Sequence, residues 1–182
     1  MRTFLYVVLT LVGVASGWAG YVTLNNNFAE VLPGELYRSG QPTGEDIHTY
    51  AERYGIRTVI NLRGARSSLA YEGEAAAAAQ EGIALIDYPI SARTEITEDQ
   101  MRDLLALMRM AERPILIHCR SGADRTGFAV AMYLHAIAGQ PKEEAAQALS
   151  LRHGHIAVPL LSKAYAMDIS FARLAPVLSA RN

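Results

Sequence analysis

Two spacings of apolar residues alternate along the chain. Short runs of branched apolar residues, such as Val59-Ile60, Leu85-Ile86 and Ile115-Leu116-Ile117, read as buried strands. Longer stretches between them carry apolar positions every three or four residues, the mark of helices with one face on a core. This pattern predicts strands over residues 36–38, 57–62 and 83–88 and a central strand from 115. It predicts helices over 45–54, 72–81, 126–138, 141–152 and 158–172. Another helix opens at Thr97, where Thr97 and Gln100 have capping-box spacing and Met101, Leu104, Leu105 and Met108 share a face. Thr43 is the expected cap of the first helix, and Gly55, Gly82, Gly139 and Gly154 are expected stops. Strands alternate with helices. The expected fold class is therefore α/β, a central, mainly parallel sheet flanked by helices, with a site beyond a strand's carboxyl end.

The N-terminus breaks this rhythm. After Met1-Arg2-Thr3 come 21 uncharged, mostly apolar residues, 4–24, and the next charge is Glu30. About 20 such residues span a bilayer as a helix. Tyr6, Trp18 and Tyr21 suit its interfaces. The competing reading is a secretory signal peptide cleaved after a small residue such as Ala19. Either way the following domain is expected outside the cytoplasm, in the periplasm of a bacterium, anchored or released. The expected division is an anchor or signal peptide over 1–24, a linker over 25–35 with Asn25-Asn26-Asn27 as spacer, and a globular domain over 36–180.

A net charge of −1 over 182 residues leaves no basic excess, so nucleic acid is not an expected partner. The single cysteine excludes an internal disulfide.

That cysteine follows the central strand, in Ile117-His118-Cys119-Arg120-Ser121-Gly122-Ala123-Asp124-Arg125-Thr126-Gly127. Strand, glycine-bearing loop and helix start make an anion cradle, where loop N–H groups and the helix N-terminus face a negative group. Cationic and N-terminal surroundings favour the thiolate of Cys119. Arg125 can return two parallel N–H donors to an oxyanion. A nucleophile beside an oxyanion socket suits attack on a phosphate monoester.

His118-Cys119-x5-Arg125-Thr126-Gly127 resembles the signature of the cysteine-dependent protein tyrosine and dual-specificity phosphatase superfamily. Leu36-Tyr37-Arg38-Ser39-Gly40-Gln41-Pro42 and Val59-Ile60-Asn61-Leu62-Arg63 are similar to the first strands of its atypical, bacterial and fungal branch. The resemblance covers about residues 30–180 and implies a phosphatase-like catalytic domain that hydrolyses phosphotyrosine in proteins. Phosphoserine and phosphothreonine are further substrates it allows, with a thiophosphate intermediate and no metal or other cofactor. It implies Cys119 as nucleophile, Arg125 as the clamp on phosphate oxygens, and Arg120, Ser121, Gly122 and Ala123 as sources of backbone N–H groups. It also implies that the Thr126 hydroxyl steadies the thiolate and that His118 orients the loop.

The leaving oxygen needs a proton, and most members of the superfamily carry an aspartate for it on an upstream loop. Here the matching stretch is Ser91-Ala92-Arg93-Thr94-Glu95, and Asp87 falls inside a predicted strand. Asp124, in Asp124-Arg125-Thr126, resembles the acid of myotubularin-like phosphoinositide phosphatases. An anionic phosphate nearby would keep it protonated. Asp124 is the expected acid and Glu95 the alternative. Arg63, Arg66, Arg93 and Lys163 are candidate cations for a multiply charged substrate. His153 and His155 lack a third ligand at metal spacing and read as a helix-end turn.

The expected partners are a phosphorylated protein or phospholipid and, through residues 4–24, a membrane. A phosphoinositide or phospholipid phosphatase is the alternative function. A catalytically inactive phosphate-binding module and a rhodanese-like sulfurtransferase remain as further readings, the latter separable by thiosulfate turnover.

Overall fold

The computed structural model describes residues 25–159 and 161–179 and isolated positions between 4 and 20. The membrane or signal segment expected over 1–24 lies mostly outside the described residues. Among them no helix is long and apolar enough to cross a membrane.

Five strands form one sheet in the order β1-β2-β5-β3-β4: β1 Ala29–Leu32, β2 Leu36–Ser39, β3 Thr58–Asn61, β4 Ala84–Asp87 and β5 Ile115–His118. Only the β1–β2 pair is antiparallel; β2, β5, β3 and β4 run parallel. Within residues 25–179 six helices flank the sheet: α1 Gly44–Tyr54, α2 Leu69–Glu81, α3 Glu98–Met110, α4 Asp124–Ala136, α5 Lys142–Ala145 and α6 Tyr165–Ser179.

Period two in the strands sorts the core into two layers. Tyr37, Val59 and Leu116 face α1 and α2, with Ile47, Tyr50, Ala77 and Ala78. Leu36, Ile60, Ile115 and Ile117 face the other way, with Met101, Leu105, Phe128 and Phe171. The central helix α4 is buried from Thr126 through Leu134, as a helix apolar all round must be. Burying a side chain such as Phe128 or Met132 is worth roughly 1.5–3 kcal/mol.

The expected caps are present. Thr43 with Asp46 and Thr97 with Gln100 both close capping boxes, and Gly55 and Gly82 end α1 and α2 in the left-handed conformation.

Three expectations need correction. Residues 25–35 are not a linker: β1 pairs with β2, and Phe28 stacks on Tyr37 and Tyr50. A four-residue edge strand leaves too little alternation to see in sequence. The helix expected over 141–152 is instead α5 followed by two 3₁₀ turns, Ala146–Ala148 and Leu151–His153. The last helix begins at Tyr165, later than residue 158, and runs on through Pro176.

Candidate active site

Cys119 stands at the carboxyl edge of β5, between β2 and β3, and is 2% exposed. The loop after it is held from outside, one carbonyl at a time. The Cys119 carbonyl lies 3.2 Å from Nδ1 of His118. The Arg120 carbonyl accepts from the Gln41 amide at 3.1 Å. The Ser121 carbonyl accepts from Asn27 Nδ2 at 2.9 Å, and the Gly122 carbonyl from Arg38 Nη2 at 2.7 Å. In a planar trans peptide the N–H points opposite to the C=O. Four carbonyls turned onto the scaffold therefore turn the amides of Arg120, Ser121, Gly122 and Ala123 the other way, beside the free N–H groups that open α4.

Gly122 permits this packing. Its φ is +71°, and a Cβ there would lie 2.7 Å from the carbonyl carbon and oxygen of Ser39. The loop rests on the end of β2 with no space between.

Arg38, in β2, is 1% exposed and bonds through Nη1 to the Ala148 carbonyl at 3.0 Å as well as to Gly122. Burial pushes its pKa down to about 10, while Cys119 pulls it upward. It stays charged at neutral pH. Arg125 is anchored by Nη1 to the carbonyls of Leu62 at 3.1 Å and Ile90 at 3.4 Å, at the ends of β3 and β4. Its Nε is buried and donates to no protein group.

His118 and Glu74 are both fully buried, with Nε2 and Oε1 2.7 Å apart, off the straight line of a hydrogen bond. Glu74 Oε2 accepts from Gln41 Nε2 at 2.5 Å, and Gln41 Oε1 accepts from Arg63 Nη1 at 2.6 Å. A polar chain thus runs from the rim at Arg63 to the carbonyl of Cys119. Burial, and then Arg66, Arg125 and Arg120, push the pKa of Arg63 down. Cations crowd this side of the cradle.

Asp124 opens α4. Its Oδ1 lies 2.7 Å from Nδ1 of His155, and Nε2 of the same ring lies 2.9 Å from Oδ2 of Asp168. Burial pushes His155 down, but the bonds to Asp124 and Asp168 outweigh it and leave its pKa raised. His153 goes the other way: burial, then Arg38 and Arg152, push it down to about 4.

Cys119 through Ala123 thus form the loop, and Asp124 and Arg125 open α4 directly after it, the first turned to His155 and the second to the carbonyls of Leu62 and Ile90. Thr126 is fully buried, and its hydroxyl makes no hydrogen bond in the protein. Glu95 lies 3.4 Å from Arg173 at the half-exposed surface of α6. Asp87 is held at the end of β4 by Tyr71 and Asn61. Of the candidate cations, Arg66, Arg93 and Lys163 are exposed and Arg63 alone joins the polar chain.

Sequence reasoning missed Asn27, Arg38, Gln41, Glu74, His155 and Asp168. Glu74 left a signal: it sits three and four residues before Ala77 and Ala78, on the buried stripe of an alanine helix. Asn26 and Asn27 left another, since both adopt positive φ, which asparagine tolerates. His155 and Asp168 left none, because their meeting depends on where α6 begins.

Among the described residues, no three His, Cys, Asp or Glu side chains converge as metal ligands.

Residues 22–159 match a family described as PTP-NADK, a DSP-PTPase phosphatase fused to NAD+ kinase. The chain is similar to the dual specificity protein phosphatase TpbA of Pseudomonas aeruginosa, 27% identical over 139 residues, which are 75% of this chain and 58% of that protein. It is also similar to the beta-lactamase hydrolase-like protein of Xylella fastidiosa, 32% identical over 64% of this chain and 27% of the relative. It thus spans less than two thirds of the length of these relatives. Two solved structures share the fold. P. aeruginosa TpbA in complex with pTyr gives a TM-score of 0.60 at 20% identity, covering 85% of this chain and 91% of that one. The core catalytic domain of the PP-IP phosphatase SIW14 from S. cerevisiae, in complex with citrate, gives 0.64 at 21% identity, covering 86% and 93%.

Proposed function

The chain belongs to this family of DSP-PTPase phosphatases, and from that premise we propose that it is a cysteine-dependent phosphomonoesterase acting on phosphotyrosine in proteins, with phosphoserine and phosphothreonine as further substrates. The observation that carries this reading is the four carbonyls of residues 119–122, each tied to the scaffold, which turns the four amides that follow Cys119 the other way.

The thiolate of Cys119 attacks phosphorus; the S–P bond forms as the P–O bond to the leaving group breaks. Loop amides and Arg125 hold the equatorial oxygens, where one such donor is typically worth about 10²–10³ in rate. Asp124 gives the leaving oxygen its proton, a contribution of about 10²–10⁴. Water then attacks the thiophosphate, its proton goes to Asp124, and phosphate leaves as the S–P bond breaks. Cys119 supplies the nucleophile that a metal-bound water would otherwise provide. The bond from His118 to the Cys119 carbonyl supports a role for His118 in shaping the cradle.

A second reading, a phosphoinositide or phospholipid phosphatase, is favoured by the crowding of Arg63 with Arg66, Arg120 and Arg125. The uncharged run of residues 4–24 supports attachment to a membrane with the domain outside the cytoplasm, or release there after cleavage. Phosphate release from phosphotyrosine peptides, phosphoinositides and glycerophospholipid phosphates tests both. Turnover of peptides at least 10-fold above lipids supports the first reading, and the reverse ratio supports the second. No release from any of the three overturns the phosphatase reading.

A further inference from the structure

His155 lies on neither the signature loop nor a helix that the reaction uses, yet it is clamped from both sides. Asp124, from the first turn of α4, meets Nδ1, and Asp168, from the first turn of α6, meets Nε2. The histidine side chain is 2% exposed, whereas Asp124 and Asp168 are 28% and 32% exposed. The partly exposed Asp124 carboxylate, on the residue that follows the loop, is thus backed by a ring closed to solvent.

We propose that His155 is a positioning residue of the catalytic cycle, storing the proton that Asp124 delivers to the leaving oxygen and taking it back when water attacks the thiophosphate. This rests on the reading of Asp124 as the acid.

Two carboxylates are acceptors, so a ring between them carries N–H on both nitrogens. A phosphate arriving beside Asp124 adds negative charge and favours the protonated carboxyl. The nearest proton is the one on Nδ1. It passes to Asp124 and from Asp124 to the departing alkoxide; the ring is left neutral, with Nε2–H still donated to Asp168, and Asp124 is again a carboxylate. In the second step water gives hydroxide to phosphorus and its proton to Asp124, and the relay returns to its first state. One proton leaves and one returns per turnover. Asp168 stabilises the imidazolium and fixes the ring.

The charged groups that bear on His155 are Asp124 on α4 and Asp168 on α6. His153, two residues away, is kept neutral by burial and by Arg38 and Arg152. Both carboxylates favour the protonated ring, so the store stays loaded where an isolated aspartate would have lost its proton.

The alternative is a staple that only pins the 151–155 turn and α6 to α4. Leaving-group and pH dependence separate the two. In the full chain, His155→Asn should slow turnover of a phosphotyrosine peptide at least 10-fold and of p-nitrophenyl phosphate, whose leaving group needs little proton, at most about 3-fold. The basic limb of its kcat–pH profile should move acidward. Asp168→Asn, at a partly exposed site, should change both in the same direction by a smaller factor, and it decides the matter if His155→Asn does not fold. Asp124→Asn must show the leaving-group split itself. If it does and the other two variants slow both substrates equally with an unmoved basic limb, His155 is a staple and the proposal fails. If Asp124→Asn shows no split, the acid is misassigned and the relay falls with it.

Discussion

Glu74 and His118 face each other 2.7 Å apart in the interior, neither exposed, at the root of the loop that carries Cys119. One comes from the alanine helix α2 and the other from the last position of β5. Removing one partner of a buried pair leaves the other without compensation, at a cost of about 3–5 kcal/mol. Glu74→Ala should therefore lower the urea midpoint strongly. Glu74→Gln, which keeps the volume and an oxygen that can accept from Gln41 Nε2, should lose far less. Equal midpoints for the alanine variant and the unmodified protein would show that the pair contributes nothing.

Gly122 and Gly34 both have φ near +70°, but only Gly122 has backbone against it. An alanine at either site meets left-handed strain of roughly 1–2 kcal/mol. At Gly122 it also drives Cβ into Ser39. Gly122→Ala should weaken inorganic phosphate binding, read by calorimetry, at least 10-fold, whereas Gly34→Ala should leave it within 2-fold. Similar affinities for the two variants would mean that the loop does not depend on its rest against β2.

His153 gives a pH dependence of definite sign. Its folded pKa, about 4, lies below the ordinary imidazole value near 6.5. As pH falls from about 6.5 towards 4, the unfolded chain binds a proton that the folded one refuses, and stability is lost. His155 has the opposite sign: its raised pKa adds stability that is full below about 6.5 and fades as pH rises through the raised value. Replacing His153 by Gln should flatten the fall of the urea midpoint between pH 6.5 and 4, and replacing His155 by Asn should flatten the fall above pH 6.5. Curves parallel to the parent's in both variants would contradict these assignments.

What the sequence displayed, and what it hid, divide along a physical line. The parallel sheet, its caps and the strand–loop–helix passage were legible because each follows from neighbours in sequence: Ile115-Leu116-Ile117 for the strand, Thr97 with Gln100 for a cap, and the glycine-bearing stretch before Asp124 for the loop. The loop's supports come from distant segments. Asn27 reaches Ser121 across 94 positions, Arg38 reaches Gly122 across 84, and His155 reaches Asp124 across 31. No local periodicity records such meetings. The broken helix after Pro141 was hidden for a similar reason. Gly127 of α4 is packed so closely that a Cβ there would lie 2.8 Å from the Ala148 carbonyl, and 3₁₀ turns replace a continued α-helix at that contact.

The most direct test of the phosphatase reading is the covalent bond to Cys119. ³²P-labelled phosphotyrosine peptide would be turned over, quenched in acid within one cycle, and the protein digested and mapped. The predicted result is label on the peptide containing Cys119, transient in the unmodified protein and absent from Cys119→Ser, which still binds substrate. Near-normal turnover by Cys119→Ser, or turnover with no label on that peptide at any time, would contradict it.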